Sequence, residues 1–115
     1  MTAFRLEAEA RSGRELPDTR ALHRWSVEDR ASFWQLVWDF CGVIARVPAV
    51  RALERDELPG ARWFPGARLN FAENLLRRSD GATAVVFRNE EGARRTLSFA
   101  ELRRAVARAA AALRA

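Results

Sequence analysis

The run Trp63-Phe64-Pro65-Gly66-Ala67-Arg68-Leu69-Asn70-Phe71-Ala72-Glu73-Asn74-Leu75-Leu76 decides how this chain is read. Pro65 fixes one backbone dihedral and Gly66 admits a positive φ, so the aromatic pair ahead of them enters a tight, aromatic-anchored turn. Asn70 and Glu73 stand at capping-box spacing, with Asn in the usual Ser/Thr place, which predicts a helix over about 71–78. Ser79-Asp80-Gly81 ends it.

Downstream, residues 83–88 (Thr-Ala-Val-Val-Phe-Arg) read as a strand, Asn89-Glu90-Glu91-Gly92 as a polar turn and Arg95-Thr96-Leu97 as a short return strand. Ser98 and Glu101 form a capping box for a last helix, with Leu102, Val106, Ala109 and Leu113 on one face and Arg103, Arg104 and Arg108 off it. A two-stranded hairpin and one helix make a very small core. Residues 81–115 are therefore expected to open a larger α/β sheet that is incomplete at Ala115.

Upstream, Phe33, Trp34, Val37, Trp38, Cys41 and Ile44 recur at helical spacing on a helix expected over about 27–41, with Ser26 as its cap and Glu28 and Asp29 in its first turn. Each large aromatic buries ~150–250 Å², worth roughly 4–6 kcal/mol as an upper bound at ~25 cal/mol per Å². Such a face cannot be left in water, so the helix is expected to pack against something large. A short helical turn over 18–24 leads into Trp25. Residues 1–17 read as a mobile arm, or as a helix formed only against a partner. Gly42 and Pro48 frame the helix exit, Arg51 to Leu58 is polar with a weak pattern, and Pro59-Gly60 marks a turn. The fold class is α+β.

Of the 115 residues, 49% are apolar and 30% charged, a globular composition of one domain at most. The formal charge is +5, and all twenty basic residues are arginine. Fifteen acidic residues are scattered among them, which favours a solvated or partner-facing arginine surface over a nucleic-acid stripe. Cys41 is the single cysteine, so no intramolecular disulfide and no cysteine zinc site can form. The first twenty residues carry charge throughout, unlike a signal peptide. No apolar run approaches the ~20 residues that span a bilayer. The expected location is the cytoplasm, with no nucleic-acid or membrane partner.

His23-Arg24-Trp25-Ser26-Val27-Glu28-Asp29, Phe33-Trp34 through Val37-Trp38-Asp39-Phe40, the Trp63–Leu76 run, Ala84-Val85-Val86-Phe87 and Leu97-Ser98-Phe99-Ala100-Glu101-Leu102 together resemble, in order and spacing, the amino-terminal segment of acetoacetyl-CoA synthetases. Acetyl-CoA synthetases share the outline. The resemblance covers roughly residues 19–115. It implies an acyl-adenylate-forming ligase: ATP and acetoacetate give an enzyme-bound adenylate, and coenzyme A then displaces AMP. It divides the chain into an arm (1–17), an acetyl-CoA synthetase N-terminal-like helical extension (18–80) and the start of an adenylation domain (81–115). ATP, Mg2+ and coenzyme A are implied for the full-length enzyme, with none bound by this part. The family's phosphate loop, its ribose-gripping acidic motif and its carboxylate-polarising lysine have no counterpart here, so no catalytic, cofactor-binding or metal-binding residue is assigned. The expected partner is the remainder of the adenylation domain.

The residues singled out as structural or interface candidates are Trp25, Phe33, Trp34, Trp38, Trp63, Phe64, Pro65, Gly66, Asn70 and Asn74. The four tryptophans could stack on a ligand, but indoles at helical spacing more often form core. His23 lacks partners for a base or metal site and reads as a helix-surface residue. Cys41, on the aromatic stripe, reads as a small buried hydrophobe. Glu90 and Glu91 are adjacent turn residues that point apart into solvent. Arg77-Arg78, Arg94-Arg95 and Arg103-Arg104 read as solvated faces, with an anion such as the coenzyme A phosphate as the alternative. A stand-alone interaction module, docking through the Trp34/Trp38 face, is the competing reading of the whole chain.

Overall fold

A computed structural model describes residues 1–114. Five helices and two antiparallel hairpins follow in order: α1 (Thr2–Ser12), α2 (Thr19–Glu28), α3 (Arg30–Phe40), β1 (Leu53–Arg55), β2 (Arg62–Trp63), α4 (Phe71–Leu75), β3 (Thr83–Arg88), β4 (Arg94–Ser98) and α5 (Phe99–Ala112). The α+β class holds. Contacts divide the chain into two compact units, Met1–Asn70 and Phe71–Ala115.

In the first unit, Ala8, Leu16, Leu22, Trp25 and Leu36 form one buried cluster, with Phe4, Ala21 and Phe33 packed on it. The amino-terminal arm requires a correction, because residues 2–12 are helical and pack on the chain's own α3. The physical reason lies at Leu16. Its N–H donates to Glu9 Oε1 at 2.9 Å and its carbonyl accepts from Arg5 Nη1, while Arg5 also donates to Glu9 at 3.0 Å. With both backbone groups satisfied from α1, Leu16 can enter the core. Gly13, at φ 65°, closes α1 by donating to the Glu9 carbonyl.

The helix start expected at Ser26 also moves. Ser26 lies inside α2 and its hydroxyl donates to the His23 carbonyl at 2.7 Å. Asp18 caps α2, accepting from the Ala21 N–H at 2.7 Å, and Asp29 caps α3, accepting from the Ser32 N–H at 3.1 Å. Asp29 is at once the C-cap of α2 and the N-cap of α3. The β1–β2 hairpin, read from sequence only as a polar stretch and a turn, pairs Leu53 with Trp63 and Arg55 with Arg62. It is tied to the start of α3 by a two-pronged Arg30–Asp56 pair.

In the second unit, α4 is shorter than expected, although the Leu76 N–H still donates to the Ala72 carbonyl at 2.9 Å. The β3–β4 hairpin and the Ser98/Glu101 capping box form as read. Arg78 pairs with Asp80 and lies over the Phe99 ring, 4.7 Å from its centre. Arg103 donates to the Leu76 carbonyl. Among the described residues 71–114 not one is buried. Val85, Val86 and Phe87 remain about half exposed, and Leu113, expected on the packed face of α5, is exposed.

Three carboxyls sit below their ordinary range. Asp56 is held down by the Arg30 hydrogen bond, Asp80 by the Ala82 N–H and then Arg78, and Glu101 by the Ser98 N–H and hydroxyl. A carboxyl depressed in the folded state contributes stability above its unfolded pKa and loses it as pH falls through the folded value. The thermal midpoint should therefore be flat above the ordinary 4.5 of Glu101 and decline below the 3.8 of the aspartates. A midpoint that rises on acidification contradicts this assignment. Asp29→Ala should cost about 1 kcal/mol through loss of the α3 cap, read as a lower midpoint at neutral pH.

Candidate functional site

The aromatic candidates, Trp25, Phe33, Trp34, Trp38, Trp63 and Phe64, make their ring contacts around α3. Phe33 sits at the centre of these contacts, edge-on to Phe4 (5.8 Å between ring centres), Trp25 (5.8 Å) and Trp34 (5.4 Å). Phe4 continues edge-on to Phe40 at 5.1 Å, and Trp34 to Trp63 at 5.9 Å. Trp38 and Phe64 form a second contact, stacked at 4.5 Å with 30° between planes. Such pairs contribute about 0.5–1.5 kcal/mol each beyond their buried area.

The Trp63–Gly66 turn reaches α3 because three backbone anchors hold it. Trp63 is paired in β2, the Phe64 N–H donates to the Ala52 carbonyl at 2.8 Å, and Val47 and Arg68 bridge behind it. The Ala67 N–H then donates to the Phe64 carbonyl at 3.1 Å. Pro65 and Gly66 thus occupy the two central positions of a β-turn, and Gly66 has φ 77°, the value a type II turn requires there. Phe64 itself adopts φ 44°. The left-handed region costs a side-chain-bearing residue about 1–2 kcal/mol, and the stack on Trp38 offsets that cost.

Trp25 is buried at 2% exposure, and Phe33, Trp38, Phe64 and Pro65 are half-buried. Trp34 and Trp63 keep 43% and 37% of their surface in solvent while touching each other. Gly66 and Asn70 are exposed, and Asn74, half-buried in α4, accepts from Arg77 at 2.7 Å. The stripe therefore finds part of its cover inside the chain, in the Trp63-Phe64 turn, where the sequence reading looked for external polypeptide. Leu36, fully buried, and Phe40 went unselected, though with Phe33 they stand at i, i+3 and i+7. Cys41 is exposed at the end of α3, against the expectation of burial, because the helix turns its Phe33–Leu36 side to the core, with Phe40 beside it half exposed. His23 is exposed on α2.

A depression of about 510 Å³ opens beside Trp25, between Arg11, Arg14, Asp29 and Gln35. Arg11 pairs with Asp39 and Arg14 with Glu28 across its walls. Among the described residues, no group of three or more His, Cys, Asp or Glu side chains could hold a metal. Among the described residues no helix is long and apolar enough to cross a membrane. The chemistry of the aromatic contacts is that of surface: indole and phenyl faces held rigid, with two edges left accessible. Trp25→Ala should cost about 3–5 kcal/mol, as for a core aromatic, and Trp38→Ala less, since it is half-buried. Thermal unfolding of both variants checks the order, and a reversed order would place the main anchor at the turn.

Residues 19–75 match the family model described as acetyl-coenzyme A synthetase N-terminus. The acetoacetyl-coenzyme A synthetase of Rhizobium meliloti is 45% identical over 105 residues, which is 91% of this chain and 16% of that protein. The malonamoyl-CoA synthetase of Penicillium aethiopicum is 36% identical over 129 residues, covering 100% of this chain and 17% of its own length. A solved structure of acetoacetyl-CoA synthetase from Streptomyces lividans superposes with a TM-score of 0.87 at 40% identity, over 98% of this chain and 18% of that one. The chain thus spans under a fifth of the length of the relatives it matches. It belongs to the acyl-CoA synthetase family and corresponds to the amino-terminal segment of that family's proteins.

Proposed function

We propose that this chain is the amino-terminal part of an acetoacetate–CoA ligase, and that it packs on the adenylation domain without activity of its own. In the proposed reaction the acetoacetate carboxylate attacks the α-phosphate of ATP and pyrophosphate leaves. The thiol of coenzyme A then attacks the acyl carbon and AMP leaves. The observation that carries this reading is the 0.87 superposition at 40% identity on an acetoacetyl-CoA synthetase, over nearly the whole chain. The 45% identity to a second protein of that name supports the same acyl group over malonamoyl.

Residues 18–80 serve in this reading as the helical extension, 81–115 as the opening of the adenylation domain, and 1–17 as part of the extension's own packing. ATP, Mg2+ and coenzyme A would be held by the rest of the enzyme. The sequence of this part has no lysine to polarise a carboxylate, and its arginines serve as ion-pair and surface groups. The half-exposed Trp34 and Trp63 edges, and the second unit, in which none of the described residues is buried, are the surfaces through which it would dock. A cytoplasmic location accords with a single exposed cysteine.

Acetoacetate-dependent exchange between ATP and labelled pyrophosphate tests the proposal. The full-length polypeptide should catalyse it and the 115-residue chain should not. Exchange by the short chain would overturn the proposed division of labour. Exchange by the full-length protein with malonamate and not acetoacetate would reassign the acyl group.

A further inference from the structure

Strands β3 and β4 differ in what they offer at their free edges. In β3 four apolar residues run unbroken, Ala84-Val85-Val86-Phe87, the pattern of a strand covered on both faces. In β4, Arg94-Arg95-Thr96 places charge where natural sheets blunt an edge against further pairing. The register sets Val85 against Leu97, Val86 against Thr96, Phe87 against Arg95 and Arg88 against Arg94. The Asn89 N–H donates to the Ala93 carbonyl at 3.2 Å. Hydrogen-bonded pairs alternate along an antiparallel ladder, so Val86 and Arg88 turn their backbone groups to the free edge of β3, and Arg94 and Thr96 theirs to the free edge of β4. On one face, Val85, Phe87 and Leu97 line a groove of about 290 Å³ with Arg95 at its rim.

We propose that β3 adds a further, apolar β-strand at its outer edge, supplied by the adenylation portion of the same synthetase, while β4 stays the edge of the sheet. The inference rests on the ligase reading above. The matched relatives carry more than four-fifths of their length outside the part they share with this chain, so ample polypeptide exists in such proteins to supply the strand. Phe87, half exposed, and the absence of any buried residue among the described part of the second unit show that its apolar side chains gain cover only from added structure.

Hydrogen exchange on the full-length polypeptide tests it. The amides of Val86 and Arg88 should exchange slowly and those of Arg94 and Thr96 fast, and in the 115-residue chain all four should exchange fast at every concentration. Slow Thr96 with fast Val86 would overturn the proposal. So would protection of Val86 that grows with concentration in the short chain, since it would make a second copy the occupant. Val86→Pro removes an outward N–H and none of the hairpin's own, so it should lower the thermal midpoint of the full-length protein. Thr96→Pro, its mirror on β4, should leave that midpoint close to wild type, and equal losses would overturn the asymmetry. Pyrophosphate exchange by the wild-type full-length protein reports separately: exchange present with a fast Val86 amide removes the added strand and keeps the ligase, whereas no exchange removes the ligase and the strand's source with it.

Discussion

Helix α3 must hide two apolar surfaces at once, and the first unit is organised around that demand. One side, Phe33–Leu36–Phe40, is met by α1 and α2, and the other, Trp34–Trp38, by the turn that follows β2. Neither α1 nor the Trp63–Gly66 turn has much reason to be ordered without it. α1 buries only Ala8 fully, and the turn carries a phenylalanine in a disfavoured backbone region. An eleven-residue helix is itself marginal in water, so the dependence is mutual and the unit should fold cooperatively or not at all.

The second unit has a different economy. Its order is local, made of a hairpin, a capping box and the Arg78–Asp80–Phe99 arrangement. These interactions fix the shape of the segment while leaving its apolar side chains uncovered. Local order of this kind suits a piece that presents a ready-made surface to a larger sheet, because less conformational entropy is then lost when the surfaces meet.

What the sequence made legible follows the same division. The β3–β4 hairpin and α5 were readable because strand composition, turn residues and the Ser98/Glu101 box are all encoded within a few residues of each other. The Pro65-Gly66 turn was readable for the same reason. The start of α3 was misplaced because Ser26 and Asp29 are equally good caps by composition, and only the course of α2 selects between them. The β1–β2 hairpin carried almost no signal, being short and charged, and it is held from a distance by Arg30 on Asp56. α1 was illegible as a packed helix because its order depends on Leu16 returning under Glu9 and Arg5. Among the candidate site residues the aromatic ones were found and their internal pairing was not, since a periodic stripe tells which residues are apolar and not which of them meet.

Because Asp29 alone joins α2 to α3, the spacing between Trp25 and Trp34 is fixed by geometry. One inserted residue there would rotate α3 by about 100° against α2 and put Ser32, Gln35 and Asp39 where Phe33, Leu36 and Phe40 pack, whereas one deleted residue would put Trp34, Val37 and Cys41 there. The junction should therefore tolerate a change of residue far better than a change of length.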